Sequence, residues 1–376
     1  MDKSPKKHSD YLLSLVIFAL MAFGLIMIYS VSKYTSLQMT DGATDKYYLV
    51  KQLRWVGLGL IGWIIFQSID YRFWLKKSSV FLYATIILLL LPLFPFGHGG
   101  GAGERWFGWG WATFQPSEAA KLTFILYISA WFASAGSDLK KIEKMFWPFI
   151  IVMVGVAGLM LIQKDLGTLA VIVAIAAAIF LMAGAPVYQF LAGIGGAGFL
   201  LWIAIKLEPY RMERFLTFLN PEQNELGSSY HIRNALIAIG SGSWFGLGFG
   251  QSKQKYLYLP ESHTDSIFAI TVEELGFLRS ALIVMAFAFI AIRGYQIAKN
   301  APDIYSRLVA TGITTWLTFQ MVINIGAMLS LMPLTGIPLP FISYGGSSLL
   351  ILLAAVGILI NISKNGNNQL RKRVPR

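Results

Sequence analysis

Cysteine is absent from the 376 residues, which excludes disulfides and thiolate metal sites and leaves the redox compartment unread. Charge is scarce. Charged side chains make up 13% of the chain, well under the quarter or so expected of a soluble domain. The first apolar run, residues 11–30, has no small-residue cleavage site after it, so it reads as a span and not as a removed signal. No fixed-period repeat and no paired, interrupted helices in matching halves are present, which argues against a transporter. A nucleotide-binding strand, glycine turn and helix is also missing. Ser241, Gly242, Gly246, Gly248 and Gly250 are accounted for by tight turns.

What the chain has is apolar sequence, 56% of its residues, arranged in runs of about 17–25 residues, the length of a bilayer helix. Ten spans are expected, at 11–31, 53–69, 78–96, 116–133, 147–163, 167–183, 187–207, 274–297, 306–331 and 343–361. The expected fold is an all-α membrane protein, a single polytopic domain over 1–376. Short basic segments alternate with these runs: Lys3, Lys6 and Lys7; Arg72, Lys76 and Lys77; Lys140, Lys141 and Lys144; Arg293, Lys299 and Arg307. They place both termini in the cytoplasm by the positive-inside rule. A basic tail, 362–376, carries Lys364, Arg371, Lys372, Arg373 and Arg376 and suits contact with anionic lipid. The net charge of +12 follows from these loops and calls for no nucleic-acid partner. The longest segment, 208–273, is expected as a large structured extracytoplasmic loop between helices 7 and 8.

The polar residues gather beside the spans. Gln115-Pro116-Ser117-Glu118 opens the fourth span, with Lys121 one turn in. Pro116 suits the first turn, Glu118 suits the positive end of the helix dipole, and Glu118 and Lys121 at i, i+3 can pair. A lysine at membrane depth is expensive, so it is a candidate functional residue as well as a local ion pair. Arg105, after a glycine-rich stretch and beside Trp106, is either part of an interfacial aromatic belt or a holder of an anionic headgroup. Lys164 and Asp165 read as an outer turn. Arg211, Arg214, Arg233, Lys253 and Lys255 put positive charge in an outer loop, against the usual trend, and a diphosphate would explain it. Glu261, His263 and Asp265 cluster at the entry to an apolar helix, where partial burial would make a carboxylate a general base. Helix breakers crowd residues 333–348, which include Ser343. They imply a rigid loop folded back into a site or a stiff connector.

These motifs, taken in order with Asp165-Leu166-Gly167-Thr168 and Glu273-Glu274-Leu275-Gly276, resemble the SEDS family (shape, elongation, division and sporulation) over nearly the whole chain. The resemblance implies a peptidoglycan glycosyltransferase that polymerises lipid II onto a nascent glycan strand. It also implies a class B penicillin-binding protein as partner, alongside other division or elongation proteins. The family's essential aspartate matches Asp265, and its lysine after Gln-Pro-Ser-Glu matches Lys121. Segments around 209–221, 248–255 and 258–261 lean to the division branch, while Ser228, Tyr230 and His231 lean to the elongation branch. Ser266 and Ser262 depart from the family, which usually has phenylalanine and, in the division branch, alanine. On this reading Asp265 is catalytic. Lys121, Glu118, Arg105, Arg211, Arg214, Lys255, Glu261, His263 and Ser343 are candidates for substrate contact. A divalent cation, magnesium or manganese, is an expected cofactor, with His263, Asp265 and the nearby glutamates able to supply ligands and the metal itself unassigned. A lipid II flippase and a non-catalytic division scaffold are the alternatives.

Overall fold

A computed structural model of the chain describes residues 10–93, 97–98, 106–109, 112–136, 138–219 and 228–373. Arg105 and the glycines before it, the lysines at 3, 6 and 7, residues 220–227, and the last three residues of the tail lie outside the described residues.

Helices dominate, in the order α1 (Tyr11–Met39), α2 (Tyr47–Ser68), α3 (Tyr71–Lys76), α4 (Ser78–Leu90), α5 (Pro116–Ala133), α6 (Leu139–Lys144), α7 (Phe146–Ile162) and α8 (Leu166–Met182). They continue with α9 (Val187–Leu207), α10 (Pro209–Leu219), α11 (Ser228–Gly242), α12 (Ile267–Lys299), α13 (Ile304–Met328) and α14 (Gly346–Arg373). Among the described residues, α1, α2, α9, α12, α13 and the 346–366 part of α14 are long and apolar enough to cross a membrane. The 78–93 stretch, α7 and α8 are shorter apolar helices. Side-chain caps mark several starts: Asp10 accepts from Leu13 N, Asp165 from Thr168 N, and Asp303 forms a capping box with Ser306.

The core lies where α13 packs on α5, α8 and α12, and where α14 packs on α2. Helices α13 and α14 are buried over most of their apolar length, whereas α9 is left bare over almost all of its own. In a bilayer that bare surface meets lipid, so its apolar side chains need no protein partner.

The all-α expectation needs correction at one place. Residues 97–98 (β1), 106–109 (β2) and 112–114 (β3) form a small antiparallel sheet in the order β1-β2-β3, with Phe107 opposite Phe114 and Gly108 opposite Thr113. Trp106-Phe107-Gly108-Trp109 and Ala112-Thr113-Phe114 are aromatic-rich runs separated by two residues, a hairpin pattern that an aromatic-belt reading overlooks.

The expected long loop holds two helices, α10 and α11, among its described residues. Its end differs from expectation. Helix α12 begins at Ile267 rather than near residue 274, and it is broken at Gly276, where φ is 81° and ψ 173°. Backbone groups released at the break are taken up by the 243–248 segment: Phe277 N donates to Ser243 O at 2.9 Å, Leu247 N to Glu273 O at 2.9 Å, and Gly248 N to Glu274 O at 3.0 Å. Irregular backbone of this kind is tolerated in a membrane protein only where protein covers it.

Candidate active site

Asp265 sits on a run of turns one residue before the last one that precedes α12, and it is 8% exposed. Two non-glycine residues with left-handed backbone, Leu257 (φ 67°) and Glu261 (φ 48°), fold this run back on itself. Ser266 N and Thr264 N both donate to Glu261 O, at 3.2 and 3.1 Å. The Thr264 hydroxyl lies 3.2 Å from Asp265 Oδ1 and 2.8 Å from Glu261 Oε2, so it bridges two carboxylates and donates to one at a time.

Burial pushes the Asp265 carboxyl up to about 7, and the negative charge of Glu261 adds to the rise. The Thr264 bond and the positive charge of Arg214 act against it. A carboxylate in that range is matched to proton abstraction near neutral pH. Gly336, with φ 69°, faces it. A Cβ built there would lie 3.7 Å from Asp265 Oδ2, so the absent side chain leaves room beside the carboxylate.

Behind Asp265, His231 Nε2 lies 2.6 Å from Ser266 Oγ. Ser266 Oγ donates to Pro260 O at 2.9 Å, so its only proton is used and His231 must be the donor to Ser266. Burial and the positive charge of Arg214 push His231 down to about 4, which keeps the imidazole neutral. The serine that departs from the family pattern thus has a partner in α11. His263 is half-buried between Tyr48 and Tyr344, with ring centroids at 4.3 and 5.5 Å, and burial lowers its pKa as well. Its carbonyl accepts from Tyr344 N at 2.9 Å, tying the 330–345 segment to the turns that carry Asp265.

Lys121 is fully enclosed, at 0% exposure. Its ammonium lies 2.7 Å from Glu118 Oε1, 3.1 Å from Gln320 Oε1 and 4.7 Å from the centre of the Trp316 ring. Lys121→Met is expected to destabilise the fold by about 3–5 kcal/mol, because it leaves the Glu118 charge buried without its partner. Adding Glu118→Gln should restore most of the loss, and thermal melting in detergent measures both.

The other expected cations divide. Arg214 acts electrostatically on both Asp265 and His231, and its Nη1 donates to Leu334 O at 2.8 Å. Arg211 is buried and donates to Ala204 O at 3.1 Å and Leu161 O at 2.9 Å, holding α10 to the ends of α9 and α7. Lys255 pairs at 2.8 Å with Glu274, two turns into α12, and donates to Gly250 O at 2.7 Å. Neither of these two makes a contact with Asp265. Ser343 Oγ accepts from Leu339 N at 2.8 Å and closes a turn. Glu261 is exposed and next to Asp265, and Arg105 lies outside the described residues. Among the described residues no group of three His, Asp or Glu side chains is placed to hold a metal ion.

Sequence reasoning passed over Gln320 and Asn324. Asn324 Nδ2 donates to Asp265 O and to Ile337 O, both at 2.8 Å, and Gln320 Nε2 donates to Pro338 O at 2.9 Å. The signal was present: two amide side chains four apart within an apolar span share one helix face and need partners.

Comparison with known proteins gives consistent matches. The FtsW/RodA/SpoVE family model, described as a cell cycle protein, matches residues 10–368. Stage V sporulation protein E of Bacillus subtilis strain 168 is 38% identical, over 96% of this chain and 98% of that protein. A probable peptidoglycan glycosyltransferase FtsW of Trichlorobacter lovleyi is 36% identical, over 94% and 93%. Among solved structures, a chain of a peptidoglycan synthase complex that coordinates polymerization and crosslinking superposes with a TM-score of 0.78 at 26% identity, over 95% and 98%. The rod shape determining protein RodA of Thermus thermophilus gives 0.71 at 26% identity, over 95% and 97%.

Proposed function

The chain belongs to the FtsW/RodA/SpoVE family of cell cycle proteins, and from that premise we propose that it is a peptidoglycan glycosyltransferase. It polymerises lipid II into glycan strands at the outer face of the cytoplasmic membrane. The observation that carries the reading is a buried carboxylate, Asp265, poised near neutrality beside a gap left by Gly336.

Asp265 takes the proton from the 4-hydroxyl of the N-acetylglucosamine on an incoming lipid II. That oxygen attacks the anomeric carbon of the growing strand, inverts it from α to β and expels the lipid diphosphate. The leaving group gains negative charge as the bond breaks, and Arg214, whose positive charge acts on Asp265, is the cation proposed to favour it. A divalent cation, magnesium or manganese, would supply further positive charge to that leaving group. Both substrates are held to the membrane by their lipid tails, which reduces the entropy lost on encounter. The protein is multi-pass. Its ten spans, cytoplasmic termini and outward-facing 208–273 segment belong to the same proposal.

A class B penicillin-binding protein fits as partner, given the synthase complex among the structural neighbours. The role is septal synthesis in division. Similarity to a sporulation protein favours wall synthesis in the spore as the second reading. Depletion in the source cell separates them: filaments without septa support division, and a defect confined to spores supports the other.

Purified protein in vesicles with labelled lipid II tests the activity. Polymer is expected, rising when the class B partner is added. Movement of label across the bilayer without polymer would indicate a flippase, and neither product a scaffold. The rate should climb with pH through about 7, because a base works only when ionised. A flat profile between pH 5.5 and 8 would remove Asp265 from that role.

A further inference from the structure

We infer that Gln320 and Asn324 are positioning residues that fix Asp265 against the facing 335–343 segment, and that Lys121 acts on the reaction through Gln320. The inference rests on the glycosyltransferase reading of Asp265 and adds residues to it.

Asn324 is buried at 1% exposure. Its two acceptors, Asp265 O and Ile337 O, are both carbonyls, so the atom between them must be the amide nitrogen and each of its protons has one bond. One side chain therefore sets the spacing between the backbone that carries the base and the backbone opposite it. Gln320, one turn earlier on α13, holds the next carbonyl in that segment, Pro338 O. Pro338 and Pro340 have no N–H, which interrupts any backbone ladder in the segment, and side-chain amides satisfy the carbonyls of Ile337 and Pro338. Gly336, immediately before Ile337, is the residue facing the Asp265 carboxylate. A shift of either amide therefore moves the wall beside the base.

Lys121 enters at the far end of Gln320. Gln320 Oε1 accepts from Lys121 Nζ at 3.1 Å and from Trp316 Nε1 at 2.7 Å, which fixes the amide with its nitrogen toward Pro338. The Lys121 ammonium is wholly enclosed by Glu118, Gln320 and the Trp316 ring. In this arrangement the lysine orients an amide and does not meet a phosphate.

The test is steady-state lipid II polymerisation by purified full-length variants in vesicles, with hydrogen exchange on the same samples. Asn324→Ala is expected to lower kcat roughly tenfold to a hundredfold, the effect of misplacing a reacting group by about an ångström, while KM stays within about threefold. Asn324→Asp, isosteric but without the amide donors, should split the same way and serves if the alanine variant does not fold. Both should speed amide exchange in residues 335–343. For Lys121, the pair Glu118→Gln with Lys121→Met avoids an unpaired buried charge. Combined with Gln320→Leu, it should be no slower than the slower of its two parents, as for residues acting in series.

A KM rise with unchanged kcat in the Glu118/Lys121 variant, or effects that multiply with Gln320→Leu, would make Lys121 a direct substrate ligand and overturn its part. Unchanged kcat and exchange in both Asn324 variants would overturn the rest. Asp265→Asn in the same assay keeps the two proposals apart. Full activity there removes the base, while exchange still reports on the amides.

Discussion

Asp265→Asn should lower the polymerisation rate by about a hundred- to ten-thousand-fold, the usual contribution of a positioned general base. Asparagine keeps the size and can still receive the Thr264 hydroxyl, so the turns around it have no reason to move. Stability should change in the opposite direction to activity. The folded protein holds the Asp265 proton up to about pH 7, whereas an exposed aspartate releases it near its ordinary value of 3.8. Between those values the folded state binds the extra proton, so stability falls as pH rises and levels off above 7. The asparagine variant carries no such penalty. Its melting temperature should exceed the wild type's at pH 8, and the gap should shrink as pH falls toward 4. An inactive variant that also melts lower at pH 8 would indicate a structural role for the aspartate.

Gly276→Ala should prevent the folded protein from accumulating. Its backbone, at φ 81° and ψ 173°, lies in a region open essentially to glycine alone. Space is a second obstacle. An alanine Cβ would lie 2.3 Å from Gly246 N and 2.4 Å from Phe245 C, and backbone cannot yield as a flexible side chain can. The backbone bonds from Leu247, Gly248 and Phe277 cross the same junction. A loss above about 4 kcal/mol is expected, in the range reserved for strain and core disruption. The measurement is the yield of monodisperse protein after detergent extraction. Gly250→Ala serves as comparison, since a Cβ there meets nothing within 4 Å although its φ is also positive.

How much of this was legible beforehand depended on distance along the chain. Among the described residues, six of the expected spans fall on helices long and apolar enough to cross a membrane and three more on shorter apolar helices, because long runs announce themselves by length alone. The Glu118–Lys121 pair and the clustering of Glu261, His263 and Asp265 ahead of an apolar helix were also readable, as neighbours within four residues. What the sequence could not show was partnership across the fold. Lys255 and Arg211 looked like charge offered to a phosphate, yet one pairs with Glu274 and the other ties off helix carbonyls. Ser266 looked like an irregularity until His231, 35 residues away, supplied its partner. Asn324 sits 59 residues from Asp265, and no local pattern links them.

The 330–345 segment is anchored by Arg214 from α10, by Gln320 and Asn324 from α13, and by the His263 carbonyl. It cannot peel away one bond at a time, since its prolines already restrict the chain and its fastenings come from separate elements. Opening it means loosening α10, α13 and the head of α12 together, so its exchange should track the most protected part of the molecule.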